Sequence, residues 1–113
     1  MKQVDKISVK ELAEMAKKMY DPMVKAVVDI NQKQMVVDAE MHVDEEQWLL
    51  ENGSKQSDLW GINLYPGAFG TDKFIEYDSM INIRPRQNNS SRGVESDEIR
   101  GQIEAIVDEV VHE

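Results

Sequence analysis

Val24-Lys-Ala-Val-Val-Asp-Ile30-Asn-Gln-Lys-Gln-Met35-Val-Val-Asp-Ala-Glu-Met41 is the stretch on which the fold turns. Val24, Ala26, Val28 and Ile30 recur with period two, and so do Met35, Val37, Ala39 and Met41. Alternation of this kind places each set on one face of a β-strand. Asn31-Gln32-Lys33 between them is short enough to join two antiparallel strands as a hairpin. The stretch therefore predicts a sheet that buries one face, and the rest of the chain must supply something to cover it.

Helices flank the hairpin. Ser8 followed by Glu11 fits a capping box, with Ile7 placed to staple onto Leu12. Leu12, Met15, Ala16 and Met19 follow at helical spacing, and Asp21-Pro22 stops the helix. Asp44 as N-cap, Gln47 three residues on and a Val43 staple to Trp48 predict a second helix, ended by Asn52-Gly53. Ser96, with Asp97 and Glu98 after it, caps a third, whose stripe is Ile99, Ile103, Ile106 and Val110. Gly101 inside that helix is expected to mark a close approach to the sheet. Two further strands lie between the last two helices: Trp60, Ile62 and Leu64, then Ile75, Tyr77, Ser79, Ile81 and Ile83. The expectation is one α+β domain over residues 1–113, ordered α-β-β-α-β-β-α. It has a four-stranded, mainly antiparallel sheet with its helices packed on one face.

Composition narrows the function classes. Thirteen Lys and Arg against 22 Asp and Glu give a net charge of −9, which disfavours general binding to nucleic acid or to an anionic membrane surface. The absence of cysteine excludes disulfides, thiolate nucleophiles and zinc–thiolate sites. Residues 1–20 lack the apolar run of a secretory signal, so a cytoplasmic location is expected. The charge is also unevenly spread. Residues 84–93 carry three Arg and no acid, +3, whereas residues 21–83 carry four Lys against twelve acids, −8.

If the apolar set of each strand faces the helices, the alternate set forms a polar face: Asp29, Asp38, Glu40, His42, Asn63, Tyr65, Glu76, Asp78, Asn82 and Arg84. Asp38, Glu40 and His42, two apart, would stack on one strand face, where carboxylates and an imidazole could hold a divalent metal. His42 would then be the acid or base of a small phosphoester hydrolase. The other reading uses the basic loop. Arg84, Arg86 and Arg92 would grip an anionic group through their guanidinium forks, with Asn63, Asn82, Asn88 and Tyr65 orienting it. The partner would be an anionic small molecule or an acidic protein segment. A third reading makes the sheet face a contact between copies, as in a homodimer. No cofactor-binding motif is present, and no cofactor is expected.

Leu50-Glu-Asn-Gly-Ser-Lys-Gln56, Leu59-Trp-Gly-Ile-Asn63, Asp78-Ser-Met-Ile-Asn-Ile-Arg-Pro85 and Asn89-Ser-Ser-Arg92 together resemble a family of small prokaryotic proteins known only as a domain of unknown function. The resemblance spans nearly the whole chain. It implies one compact domain and brings no residue roles.

Overall fold

The computed structural model describes residues 1–113. Its elements are β1 (Lys2–Val4), β2 (Ile7–Ser8), α1 (Val9–Lys18), β3 (Val24–Asp29), β4 (Gln34–Val37) and α2 (His42–Glu51), followed by β5 (Leu59–Leu64), β6 (Ile75–Glu76), α3 (Asp97–Val110) and β7 (Val111–His112). Five strands form an antiparallel sheet in the order β1-β4-β3-β5-β6. β2 and β7 make a separate two-residue parallel ladder, Ile7 to Val111 and Ser8 to His112.

The hairpin at the centre follows the alternation. Ala26 stands opposite Val37 and Val28 opposite Met35, so the two apolar sets share one face. Asp29 closes the turn: its Oδ1 accepts from the backbone N–H of Asn31 and Gln32, both at 2.9 Å, and Ser54 donates to its Oδ2 at 2.6 Å. Expected on a polar face, Asp29 is fully buried and spent on this turn. Against the apolar face pack Leu12, Met15 and Ala16 of α1 and Ile103, Ile106, Val107 and Val110 of α3, in one core with Trp60, Ile62 and Leu64. The cap of α1 is the reciprocal box, Ser8 Oγ accepting from Glu11 N–H and Glu11 accepting from Ser8 N–H.

The helices do not all lie on one face. α2 covers the opposite side, where Leu49 joins Val27, Val36 and Leu59 in a second, smaller core. The pairs Val27-Val28, Val36-Val37 and Leu59-Trp60 carry the reason, since consecutive apolar residues mark strands buried on both faces. α2 also starts three residues earlier than expected: Met41, not Asp44, is its N-cap, with no side-chain bond, and His42 is its first residue. Asn52-Gly53 does end it, Gly53 having φ +100°.

The last expected strand shortens to Ile75–Glu76, which pairs with Leu64 and Asn63. Beyond it the chain leaves the sheet edge and makes a single turn over Met80–Asn82. Gly61 in β5 permits the crossing: a Cβ there would sit 2.6 Å from both Cβ and Oγ of Ser79. In place of a neighbouring strand, β5 receives a side chain. Gly61 N–H donates to Asn82 Oδ1 at 2.8 Å and Asn82 Nδ2 donates to Gly61 C=O at 2.9 Å, the double bond of a strand pair made by one amide.

Gly101 marks no close approach. It is exposed, and a Cβ added to it meets nothing within 4 Å. Its Gly→Ala variant should therefore gain up to about 1 kcal/mol from helix propensity alone, raising the melting temperature by about 4 °C. A scanning-calorimetry trace unchanged or lowered by G101A would show that the glycine has another role.

Candidate functional site

The polar face of the sheet is closed at one side by α2 and at the other by the crossing segment, leaving a cleft of ≈ 520 Å³ between them. β3 contributes Lys25, the start of α2 contributes Met41, His42 and Val43, β5 contributes Asn63, the residue after its end contributes Tyr65, and β6 contributes Glu76. The crossing segment adds Asp78 to Ile81, and Arg92 closes the rim.

Hydrogen bonds fix its floor. Asn63 is 3% exposed, and its Nδ2 donates to Glu76 Oε1 at 2.8 Å and to Asp78 C=O at 3.2 Å. Both of those partners only accept, so the amide can take one orientation, with Oδ1 turned away from them. Oδ1 is buried and makes no hydrogen bond of good geometry, although the Asn63 side chain lies close enough to the His42 ring to favour its protonated form. Tyr65 OH donates to the same Glu76 oxygen at 3.1 Å, and desolvation with that contact raises the phenol pKa. His42 donates from Nε2 to Ile62 C=O at 2.8 Å. Burial lowers its pKa, so the ring is neutral at pH 7 and Nδ1 remains an acceptor.

The cations are held without being used up. Lys25 Nζ donates to Glu40 C=O at 2.9 Å, one of its three donors. Arg92 Nε meets Asp78 Oδ1 at 2.6 Å, which leaves the terminal nitrogens of its fork. The Arg92 backbone is tied to the crossing segment, its carbonyl accepting from Ser79 N–H at 2.9 Å and from Asn82 Nδ2 at 3.0 Å. Lys25 and Arg92 balance Glu76 and Asp78, so the cleft is near neutral in a chain of charge −9. At its mouth stand Met41, Val43 and Met80, 57%, 48% and 66% exposed. Two of these had other expected places: Met41 on the buried strand face and Val43 as a staple.

Of the residues expected to bind an anion, Asn63, Tyr65 and Arg92 meet here with His42, and the others do not. Arg84 turns inward. Its guanidinium lies 4.1 Å from the Trp60 ring centroid and donates to the carbonyls of Leu59 and Gln56. Arg86 and Asn88 are exposed beyond the cleft, Asn88 ending a turn with φ +59°. Asn82 is fully buried and its amide is saturated by Gly61 and Arg92, so it builds the cleft and touches no ligand. Asn89 acts alike, Nδ2 donating to the carbonyls of Asn82, Ser91 and Gly93.

The stacked metal set dissolves for a local reason. β4 ends at Val37, Asp38 takes a left-handed φ of +70°, and His42 already belongs to a helix. Period two no longer holds, and Asp38 and Glu40 face away from the cleft that His42 lines. No three His, Asp or Glu side chains come together in a way that could hold a metal ion.

Lys25 is the cleft cation that the basic loop concealed. Its place opposite Asn63, between Val24 and Ala26, is the signal that could have found it. Less visible is the underside of α2, where His42, Glu45, Glu46 and Leu49 are buried. Glu45 is fully buried. Its Oε2 accepts from Ala39 N–H at 3.2 Å while Oε1 has no partner, and desolvation pushes its pKa up to about 10. Glu46 is raised by the same cause.

No helix is long and apolar enough to cross a membrane. No curated protein and no solved structure matches the chain. The family model described as "Protein of unknown function (DUF5674)" matches residues 3–110, and the chain belongs to that family.

Proposed function

We propose that the protein is a small binding module whose cleft holds the anionic end of a ligand between Arg92 and Lys25. One observation carries this reading: two cations with donors to spare border a single cleft whose floor is already fixed by hydrogen bonds. Charge-assisted bonds from such groups are the stronger kind, and prior ordering of the fork reduces the entropy lost on binding. Methionines at the mouth offer an adaptable apolar surface for the remainder of the ligand. The anionic site of this reading is thus smaller than the Arg84 to Arg92 loop. Of its three arginines, it uses Arg92 alone, and it adds Lys25.

Calorimetric titration with 4-methylpentanoate, a carboxylate with a branched apolar tail, tests the proposal. Arg92→Gln and Lys25→Gln should each weaken binding about 10- to 100-fold, the range for one charged hydrogen bond. Neither should shift melting by more than about 4 °C, since the half-exposed Arg92–Asp78 ion pair and the exposed Lys25–Glu40 bond each contribute about 1 kcal/mol at most. Equal affinity for wild type and both variants would defeat the reading.

A further inference from the structure

We infer that the mouth of the cleft is a self-association surface, on which a second copy of the chain seats its own Met41, Val43 and Met80. The inference goes beyond the anion-binding reading and does not depend on it. Six large apolar side chains of this chain are exposed, and these three border one cleft. Ile81, half-buried, lines it with them. Single exposed apolar residues are ordinary, whereas a group rimmed by polar side chains marks a place of contact. Lys25, Glu76, Asp78 and Arg92 supply that rim. The patch is also firmly held: Met41 and Val43 stand at the start of α2, and Met80 on the segment that Asn82 clasps to β5. A contact surface ordered beforehand loses less entropy on association.

Charge selects the occupant. At −9, the chain repels a second copy, and any acidic protein, over most of its surface. At the cleft the balance differs: two cations stand with two carboxylates, and the Arg92 and Asp78 side chains stay 57% and 43% exposed. A patch carrying both signs is self-complementary about a twofold axis, the cationic half of one copy lying over the acidic half of the other. A basic partner is drawn elsewhere, to the acidic surface around Asp38, Glu40, Asp44 and Glu51. A neutral apolar partner would desolvate the four charges without offering them new partners. A second copy meets the apolar and the charged requirements together. Thirteen residues line the cleft, fewer than the ~20–30 a side of a standard interface, so the dimer is of the weak, reversible class.

Sedimentation equilibrium of the full chain at pH 7, without ligand, tests the inference. The weight-average mass should climb with concentration from that of one chain towards that of two, half the chains being paired below about 1 mM. The double variant Met41→Ser, Met80→Ser alters only exposed side chains and should raise the dissociation constant at least about 10-fold. Its melting should not be lowered, since serine is a favourable N-cap. Arg92→Asp should weaken pairing likewise by setting like charges together. Adding Asp78→Arg should restore it, because the exchanged pair again presents both signs. A strict monomer at about 1 mM overturns the inference. So does a dimer that survives the methionine changes, an exchange that restores nothing, or a dimer abolished by Tyr20→Ser, a 98% exposed residue outside the cleft. A dimer that forms while 4-methylpentanoate fails to bind upholds this inference and defeats the anion-binding reading; binding by a strict monomer does the reverse.

Discussion

Asn82→Ala is expected to cost about 4 kcal/mol of folding stability, about a quarter or more of what a domain of this size has in hand. The side chain satisfies three buried backbone groups: Gly61 N–H, Gly61 C=O and Arg92 C=O, at 2.8, 2.9 and 3.0 Å. Alanine leaves both Gly61 groups without partners in a place water cannot easily reach, while the Arg92 carbonyl keeps Ser79 N–H, and each orphaned group costs about 1–3 kcal/mol. The loss is also local in meaning. Asn82 is the clasp that replaces a strand on the free edge of β5, and the chain from Asp78 to Arg92 is held over Gly61 by it. The variant should therefore lose ligand binding even at temperatures where it remains folded. Urea unfolding gives the stability, and a loss under about 1 kcal/mol would show that the crossing segment is anchored elsewhere.

Between pH 6.5 and about pH 9 the stability of the protein should fall by about 3 kcal/mol, and Glu45→Gln should abolish most of that fall. The buried Glu45 carboxyl keeps its proton up to about pH 10, while in the unfolded chain it releases it near 4.5. Over that interval the folded state binds one proton more than the unfolded state, so stability declines with rising pH by about 1.4 kcal/mol per unit. His42 acts in the opposite direction. Burial holds its folded pKa below the ordinary histidine value of 6.5, so from that lowered pKa up to 6.5 the unfolded chain binds the extra proton and stability rises with pH. The two slopes offset each other on the acid side of 6.5, leaving the decline of Glu45 uncovered above it. Glutamine preserves the acceptor for Ala39 N–H and cannot ionise. A wild-type profile flat from pH 6.5 to about 9 would mean that Glu45 is ionised and solvated in the native state, and α2 would have to sit differently on the sheet.

Much of this architecture was legible in local chemistry. The Ser8–Glu11 box, the Ser96 cap and the Asn52-Gly53 stop each depend on residues within four positions, and the structure has all three. The hairpin register followed from alternation over twelve residues. What local pattern could not convey was which strand neighbours end early. Ile75, Tyr77, Ser79, Ile81 and Ile83 alternate well, yet the chain departs after Glu76 because a glycine on a different strand leaves room for Ser79. That departure sends Arg84 onto Trp60 and Arg92 into the cleft, although both belong to one basic loop. Asn82 and Asn89 posed the same difficulty. An asparagine that serves as a strand and one that serves a ligand are identical in sequence, and only saturation of the amide separates them. The sidedness of α2 was legible in Val27-Val28, Val36-Val37 and Leu59-Trp60, pairs that a single buried face does not need.

The central claim is that ligand meets protein in the cleft between α2 and the crossing segment. Backbone amide shift mapping by NMR, with 4-methylpentanoate added to the isotopically labelled chain, tests it most directly. The account predicts concentration-dependent shifts at His42 and Val43, at Asn63, from Glu76 to Ile81 and at Arg92, with Arg86 and Asn88 unmoved. Shifts confined to the Arg86–Asn88 turn or to the acidic surface around Asp38, Asp44 and Glu51, or no shifts at all, would contradict it.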